Sequence, residues 1–213
     1  MNAVKVLEEL LSRNCDPGKP CGEKDFCIVC ASSMVYRISE LFPESFIVSN
    51  TAFQVLPNLA SIYYAVNTLK APLVAIAGTT KVNLKEFLEL DFQVAEVEFK
   101  LLRKVYENNI DILYPLYEEN EKHLNAALVE INIDAQIDYL LSVPEFENLV
   151  SSGKLVICGL VLDKSGIYGD RTAFYLINLN GLKDPDEVKN HDTLEEIPES
   201  IRKQKVKRFH VQF

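Results

Sequence analysis

The chain has 213 residues, of which 48% are hydrophobic, and a formal net charge of −9 at pH 7. This length fits one α/β domain with short arms, and the apolar fraction is sufficient for a substantial core. The negative charge argues against a nucleic-acid or anionic-membrane partner. The longest apolar runs fall far short of the roughly 20 residues that a membrane helix needs. Five cysteines, an odd number, and an N-terminal stretch without a signal-peptide core favour a cytoplasmic protein.

The first fifty residues contain the signals of two strands and two helices. Residues 2–13 have apolar side chains at helical spacing and predict a short amphipathic helix. The proline- and glycine-containing residues 14–24 predict a loop. Phe26–Val29 is a short apolar run that predicts a buried strand, Met34–Leu41 predicts a helix, and Ser45–Val48 predicts a second strand.

The middle of the chain alternates helix and strand signals. Leu59–Leu69 has one apolar face and predicts a helix, and Pro72–Ala77 is apolar throughout, as expected of a central parallel strand. Two long segments without glycine, Leu84–Glu107 and Leu113–Leu141, predict long helices. Proline is favoured in the first helical turn, so we place Pro115 at the start of the second.

The last third predicts an edge hairpin followed by an extension. Leu155–Leu162 and Ala173–Asn178 predict two strands joined by a turn, and the composition changes at Lys183 to an acidic and then a basic stretch. Alternating strands and helices favour an α/β fold with a mostly parallel central sheet, flanking helices and an antiparallel edge hairpin. We therefore expect an N-terminal helical arm and cysteine-containing loop, an α/β domain and a C-terminal extension, at 1–25, 26–182 and 183–213.

Several segments in a fixed order resemble the β-carbonic anhydrase family. Cys27–Val35 (CIVCASSMV) stands where that family has Cys-x-Asp-x-Arg after a strand, and Phe46–Phe53 (FIVSNTAF) stands where it has a strand followed by Arg-Asn-Ala-Gly-Asn. Gly153–Gly159 (GKLVICG) is similar to its Gly-x-Leu-x-x-x-Gly run. The resemblance covers roughly residues 26–181. It implies the fold of these enzymes and, if their site were intact, zinc-dependent hydration of CO2.

The positions that match the zinc site of the family have lost most of their ligands. A catalytic zinc needs three thiolate, imidazole or carboxylate ligands and one open position for water. The resemblance places the cysteine ligand at Cys30 and the aspartate–arginine pair at Ser32 and Met34, while His-x-x-Cys corresponds to Thr79 and Val82. Only Cys30 can bind zinc well. We therefore expect a degenerate site, no metal or other cofactor, very weak or no CO2 hydration, and a binding, regulatory or structural role.

Two enzymatic alternatives remain open at this stage. In the first, the chain is a zinc-dependent carbonic anhydrase that uses Cys30 together with unforeseen ligands. In the second, it is an enzyme of another class that uses the remodelled cleft on an anionic substrate.

The three histidines do not supply an obvious replacement set of ligands. None has the paired spacing of a metal motif. His123 lies in a predicted helix and is interpreted as a solvated helix residue. His191 and His210 belong to the C-terminal extension, where we expect them to be exposed.

Four of the five cysteines fall in one short window. Cys15, Cys21, Cys27 and Cys30 suit a structural metal, a redox pair or a disulfide, although the second tight Cys-x-x-Cys of a zinc ribbon is missing. The side chains of a strand alternate, which separates Cys27 from Cys30. Cys27 and Cys158 are more simply interpreted as small core residues.

The polar turn after the third predicted strand is a candidate anion-binding site. Hydroxyl groups, a lysine and free N–H groups at a helix start can bind an anion, although a solvated loop is the simpler interpretation. The candidate residues lie after neighbouring strands: Thr79, Thr80, Lys81, Ser32, Ser33 and Ser49.

Assembly is the remaining expectation from the resemblance. It implies a homodimer or a higher homo-oligomer. Phe53, Tyr63 and Tyr64 are accordingly interpreted as packing in the core or at a subunit interface rather than on a ligand.

Overall fold

The computed structural model describes residues 26–89, 93–117, 120–169 and 172–210. One five-stranded sheet has the order β2-β1-β3-β4-β5. Its first four strands run parallel and β5 is antiparallel to β4, which confirms the predicted α/β class and the edge hairpin. The strands are β1 (Phe26–Ala31), β2 (Ser45–Asn50), β3 (Leu73–Thr79), β4 (Val156–Asp163) and β5 (Ala173–Leu179).

Helices connect and cover these strands. In chain order the α-helices of the described residues are α1 (Val35–Leu41), α2 (Leu59–Asn67), α3 (Leu84–Leu88), α4 (Gln93–Tyr117), α5 (Glu121–Leu141), α6 (Pro144–Ser151), α7 (Pro185–Lys189) and α8 (Glu199–Lys205). Short 3-10 turns occur at Ser32–Met34, Leu56–Asn58 and Asp192–Leu194. Within the described ranges, none of the helices has the length and apolar character needed to cross a membrane. The helix predicted at 2–13 and the loop at 14–24 lie outside them.

The two long helices predicted between β3 and β4 have the wrong boundaries. The first is divided into α3 and α4, and α4 continues to Tyr117, so Pro115 lies in its last turn and not in the first turn of the next helix. A proline at this position loses the backbone hydrogen bond to the Asp111 carbonyl and crowds that carbonyl, which is unfavourable, and α4 ends two residues later. The start signal that the prediction missed is Asn120, whose side chain accepts the His123 N–H at 3.2 Å and caps α5.

Helix α5 is the central element of the core. It packs against both β3 and β4, and nearly all its residues from Leu124 to Ile137 are buried. Two glycines allow this close approach. A Cβ atom at Gly78 would lie 2.7 Å from Cγ1 of Val129, and one at Gly159 would lie 2.6 Å from Cγ2 of Ile133. Helix α5 is therefore a buried helix that can contact loops as well as the sheet.

The C-terminal extension packs against the antiparallel edge of the sheet. Helices α7 and α8 contact β5, and Val206 forms an isolated parallel bridge with Leu176. The chain then runs back towards α5. The boundaries proposed for the arm, domain and extension stay a prediction.

Candidate functional site

The carboxyl ends of β1 and β3 lie side by side, because these strands are parallel neighbours. Ligand sites of open α/β sheets usually occur at such an edge. We call the five positions that correspond to the metal site of the resembled family the cleft edge: Cys30, Ser32, Met34, Thr79 and Val82. All five belong to these two strand ends or to the turns that follow them.

On the β1 side, the cleft edge offers one potential ligand, and it is buried. Cys30 has 0% exposure, and burial raises the pKa of its thiol to about 12. A single thiol does not hold a catalytic zinc, which needs two further protein ligands. Met34 is fully buried in the 3-10 turn, and Ser32 is exposed. An apolar thioether therefore stands in place of the family's arginine.

On the β3 side, the cleft edge has no strong metal ligand. Thr79 is buried, and its hydroxyl oxygen accepts the Lys81 N–H at 3.4 Å. Val82 is also buried, and its N–H donates to the Thr79 carbonyl at 3.2 Å. In the part of the chain that the structure describes, no group of three or more His, Cys, Asp or Glu residues is placed to hold a metal ion. The donors at the cleft edge do not fit a catalytic zinc.

The loop after β2 is folded tightly against the same region. Asn50 accepts the Gln54 N–H at 2.7 Å and donates to the Gln54 carbonyl at 2.8 Å, which closes the loop. Between them Phe53 adopts a φ of 48° and is fully buried. Its ring lies beside Gly78, where Cζ would be 3.1 Å from a Cβ atom. A left-handed φ is unfavourable for an aromatic residue, so packing holds this conformation. Phe53 is a core residue, as predicted.

The predicted anion-binding residues do not form a set of free donors. The Thr80 hydroxyl donates to Asp163 Oδ1 at 3.3 Å and accepts the Lys164 N–H at 2.9 Å. A carboxylate next to Thr80 disfavours an anion there. Lys81 is exposed, and so are the remaining three candidates, Ser32, Ser33 and Ser49. Anion binding at the cleft edge stays a prediction.

Asn125 of α5 holds the turn that follows β3. Its Nδ2 donates to the Val82 carbonyl at 2.7 Å and to the Thr80 carbonyl at 3.4 Å, and its Oδ1 accepts the Leu84 N–H at 3.2 Å. Buried backbone groups that lie outside regular structure need such partners. The turn is therefore fixed by a residue that the sequence analysis did not single out.

The expected exposure of the histidines is wrong for His210 and only partly right for the other two. His210 is 6% exposed, and its Nδ1 lies 3.2 Å from the Tyr117 hydroxyl. His123 is half-buried, with its ring centroid 5.0 Å from that of Phe209. His191 is also half-buried and caps the 3-10 turn at Asp192–Leu194 by accepting a backbone N–H. Among the residues that the structure describes, none of the three histidines belongs to a group of potential metal ligands.

The cysteines that the structure describes are core residues. Cys27, Cys30 and Cys158 are buried and free, and burial raises the thiol pKa of each to about 12. Cys27 and Cys30 form no disulfide with each other. Cys15 and Cys21 lie outside the described residues, so the metal or redox interpretation of the N-terminal cysteines stays a prediction.

Two carboxylates and an arginine meet in the interior on the other side of α5, a feature that the sequence analysis missed. Arg208 binds Asp134 through two hydrogen bonds, of 2.7 Å from Nη2 and 3.1 Å from Nη1, and Nη2 lies 3.7 Å from Glu130 Oε2. The side chains of Arg208, Glu130 and Asp134 are 3%, 0% and 2% exposed. We call these three residues the buried charge cluster.

Further hydrogen bonds complete the buried charge cluster. Glu130 accepts the Tyr168 hydroxyl at 2.6 Å and the N–H groups of Phe209 and His210 at 2.8 and 2.9 Å. Asn178 donates to Asp134 Oδ1 at 2.7 Å. Burial raises the pKa of Glu130, while the Arg208 charge and the hydrogen bonds from Tyr168, Phe209 and His210 oppose the rise. Each charge thus has partners, and the cluster binds the C-terminal segment, residues 206–210, to α5.

The sequence does contain a signal for this cluster. Glu130 and Asp134 are four residues apart in α5, where apolar residues occur on every side of the helix. Ionised groups in such a helix must find partners in the interior. Their partner Arg208 is more than seventy residues away in a stretch that resembles an ordinary basic surface, so spacing alone could not identify it.

Comparison with known proteins identifies the fold. No protein-family model matches the chain, and no curated protein matches its sequence. Among solved structures, the Coccomyxa β-carbonic anhydrase in complex with acetazolamide has a TM-score of 0.61 at 16% identity, over 87% of this chain and 86% of that chain. A tetrameric β-carbonic anhydrase of Sordaria macrospora has a TM-score of 0.59 at 22% identity, over 67% and 77%. The β-carbonic anhydrase CafA of Aspergillus fumigatus has a TM-score of 0.57 at 20% identity, over 87% of this chain and 86% of that chain.

These similarities confirm the predicted fold: the chain has the architecture of the β-carbonic anhydrases. The TM-scores establish the architecture. Because the identities are only 16 to 22%, the chemistry is argued from the residues of this chain.

Proposed function

We propose that this chain is a β-carbonic-anhydrase-like protein that does not hydrate CO2 and acts as a binding, regulatory or structural protein. The observation that supports this most strongly is the composition of the cleft edge. Cys30 is a lone buried thiol, Thr79 offers only a neutral hydroxyl and the Val82 side chain has no donor atom. Zinc-dependent hydration of CO2 requires three protein ligands and a bound water, and these groups cannot supply the three ligands.

The test is CO2 hydration by the purified full-length chain with zinc supplied. We expect the rate in a stopped-flow pH-indicator assay to equal that of buffer, and the Cys30→Ser variant to give the same rate. Rapid hydration by the wild type that is lost in Cys30→Ser would refute the proposal and support a zinc enzyme with unusual ligands.

We also propose that the chain forms a homo-oligomer. Strand β2 lies at the edge of the sheet, and exposed aromatic side chains flank it on α1 and α2, with Tyr36 at 75%, Tyr63 at 41% and Tyr64 at 46% exposure. A strand that is terminal in the sheet of the described residues, beside exposed apolar groups, favours pairing with another chain. The enzyme of Sordaria macrospora is tetrameric. Light scattering after gel filtration should give a multiple of 24.1 kDa, and a monomer at micromolar concentration would contradict this.

A further inference from the structure

A groove away from the cleft edge lies between α4 and the 3-10 turn that begins at Leu56. Its volume is about 730 Å³, within the range of small-molecule sites. Leu56 and Pro57 form its apolar wall. The opposite wall is one face of α4 and carries three cations, Lys100, Arg103 and Lys104.

The three cations occupy a single turn of α4. Side chains three and four positions apart in a helix are neighbours, and like charges at this spacing repel one another. Lys100 and Lys104 are exposed and Arg103 is half-buried. The three cations therefore concentrate positive charge on this face of α4.

Among the described residues, the carboxylates on the same face form no ion pair with these cations. Glu96 and Glu107 line the two ends of the groove, four positions from Lys100 and from Arg103. Across the described ranges, none of the three cations has a carboxylate within ion-pair distance. The cationic groups are thus available to a ligand in a chain whose net charge is −9.

We propose that this groove binds a small molecule with a multiply charged oxyanion, a phosphate or polycarboxylate group, next to a short apolar part. The guanidinium of Arg103 can form two parallel hydrogen bonds to such a group, and the two lysines contribute mobile point charges. Leu56 and Pro57 contact the apolar part. The proposal is independent of the cleft edge and holds whether or not the chain hydrates CO2.

The test is calorimetric titration of the full-length chain with inorganic pyrophosphate and with citrate, in low salt. At least one should bind at one site per subunit, and its affinity should decrease with added salt. The Lys100→Glu/Lys104→Glu variant should bind about tenfold more weakly or not at all. Both substituted residues are exposed, so this variant should keep the wild-type melting temperature.

Two controls separate a site from general charge attraction. The Arg37→Glu/Lys154→Glu variant has the same change in net charge at exposed positions elsewhere and should bind like the wild type. Lys81→Ala, at the end of β3, should also bind normally. The proposal is overturned if neither anion binds, if the control double variant loses binding equally, or if Lys81→Ala abolishes binding and so places the anion at the cleft edge.

Discussion

The cleft edge and the buried charge cluster are two regions of this molecule with opposite chemical character. At the cleft edge, positions that hold zinc ligands in the resembled enzymes carry a buried thiol, a threonine and a valine. In the buried charge cluster, Glu130, Asp134 and Arg208 are enclosed with nearly all their hydrogen-bonding atoms in use. The ionisable groups of the buried charge cluster hold the C-terminal segment against α5.

This difference shows that strongly shifted pKa values do not by themselves mark an active site. Burial raises the pKa of Glu130 and, together with Glu130, that of Tyr168. Glu130 is 0% and Tyr168 6% exposed, and Glu130 accepts hydrogen bonds from Tyr168 and from the C-terminal segment. Structural ion networks produce such shifts as well as catalytic sites do. The comparison therefore predicts effects on stability from the buried cluster and small effects from the cleft edge.

The largest effect should come from Arg208→Met. Removing one partner of a buried ionic group costs about 3–5 kcal/mol, because the other charges remain buried and unpaired. Urea unfolding followed by circular dichroism measures the change. Arg37→Met is the matched control, since this residue is 61% exposed and its contact with Glu40 spans 3.9 Å. Equal losses for the two variants would show that the buried cluster does not hold the C-terminal segment.

A smaller effect is expected from Asn125→Leu, which acts next to the cleft edge. The substitution leaves the Val82 carbonyl and the Leu84 N–H without their buried partner, and together these losses should cost about 1–3 kcal/mol. Hydrogen exchange should show faster exchange at residues 80–84. Asn67→Leu, at an exposed position, provides the control. Unchanged exchange at residues 80–84 would contradict the role assigned to Asn125.

The adjacent threonines at the end of β3 should respond differently to the same change. Thr80→Val removes the donor to Asp163 and the acceptor of the Lys164 N–H, and should cost about 1–2 kcal/mol of unfolding free energy. Thr79→Val removes one contact of 3.4 Å and should cost less. Urea unfolding of both variants makes the comparison. The reverse order would mean that the Thr79 hydroxyl has a partner of its own.

The smallest effect should be a pH dependence from His210. Burial, followed by the nearby Arg208 charge, lowers the pKa of this histidine below its ordinary 6.5, while Asp134 opposes the shift. Below about pH 6.5 the unfolded chain then binds more protons than the folded chain, so stability falls as the pH falls. The raised pKa of Glu130 has the opposite effect, because it increases stability as the pH falls through the range in which Glu130 titrates. We therefore compare with His210→Gln, relative to which the wild type should lose stability on acidification.

The fold could be predicted from the sequence more completely than the contacts that hold it together. Apolar runs such as the one before Cys30 define buried strands through local composition, and all five strands occur where they were expected. The boundary near Pro115 was wrong because proline is favoured in the first turn of a helix, whereas here it lies in the last turn of α4, and the Asn120 cap marks the start of α5.

The tertiary partners were not predictable from local patterns. Arg208 and His210 lie in a stretch that resembles an exposed basic tail, and they are buried because Glu130 and Asp134 bind them from the far part of the chain. The identities of the residues at the cleft edge were available from the resemblance. The burial of Thr79 and of the Cys30 thiol required the structure.

Zinc binding to the purified protein tests most directly whether the cleft edge has lost its metal. The chain is treated with a chelator, equilibrated with zinc and dialysed, and the retained metal is measured per subunit for the wild type and for Cys30→Ser. We expect much less than one zinc per subunit, with no difference between the two proteins. One tightly held zinc per subunit that disappears in Cys30→Ser would contradict the loss of the site.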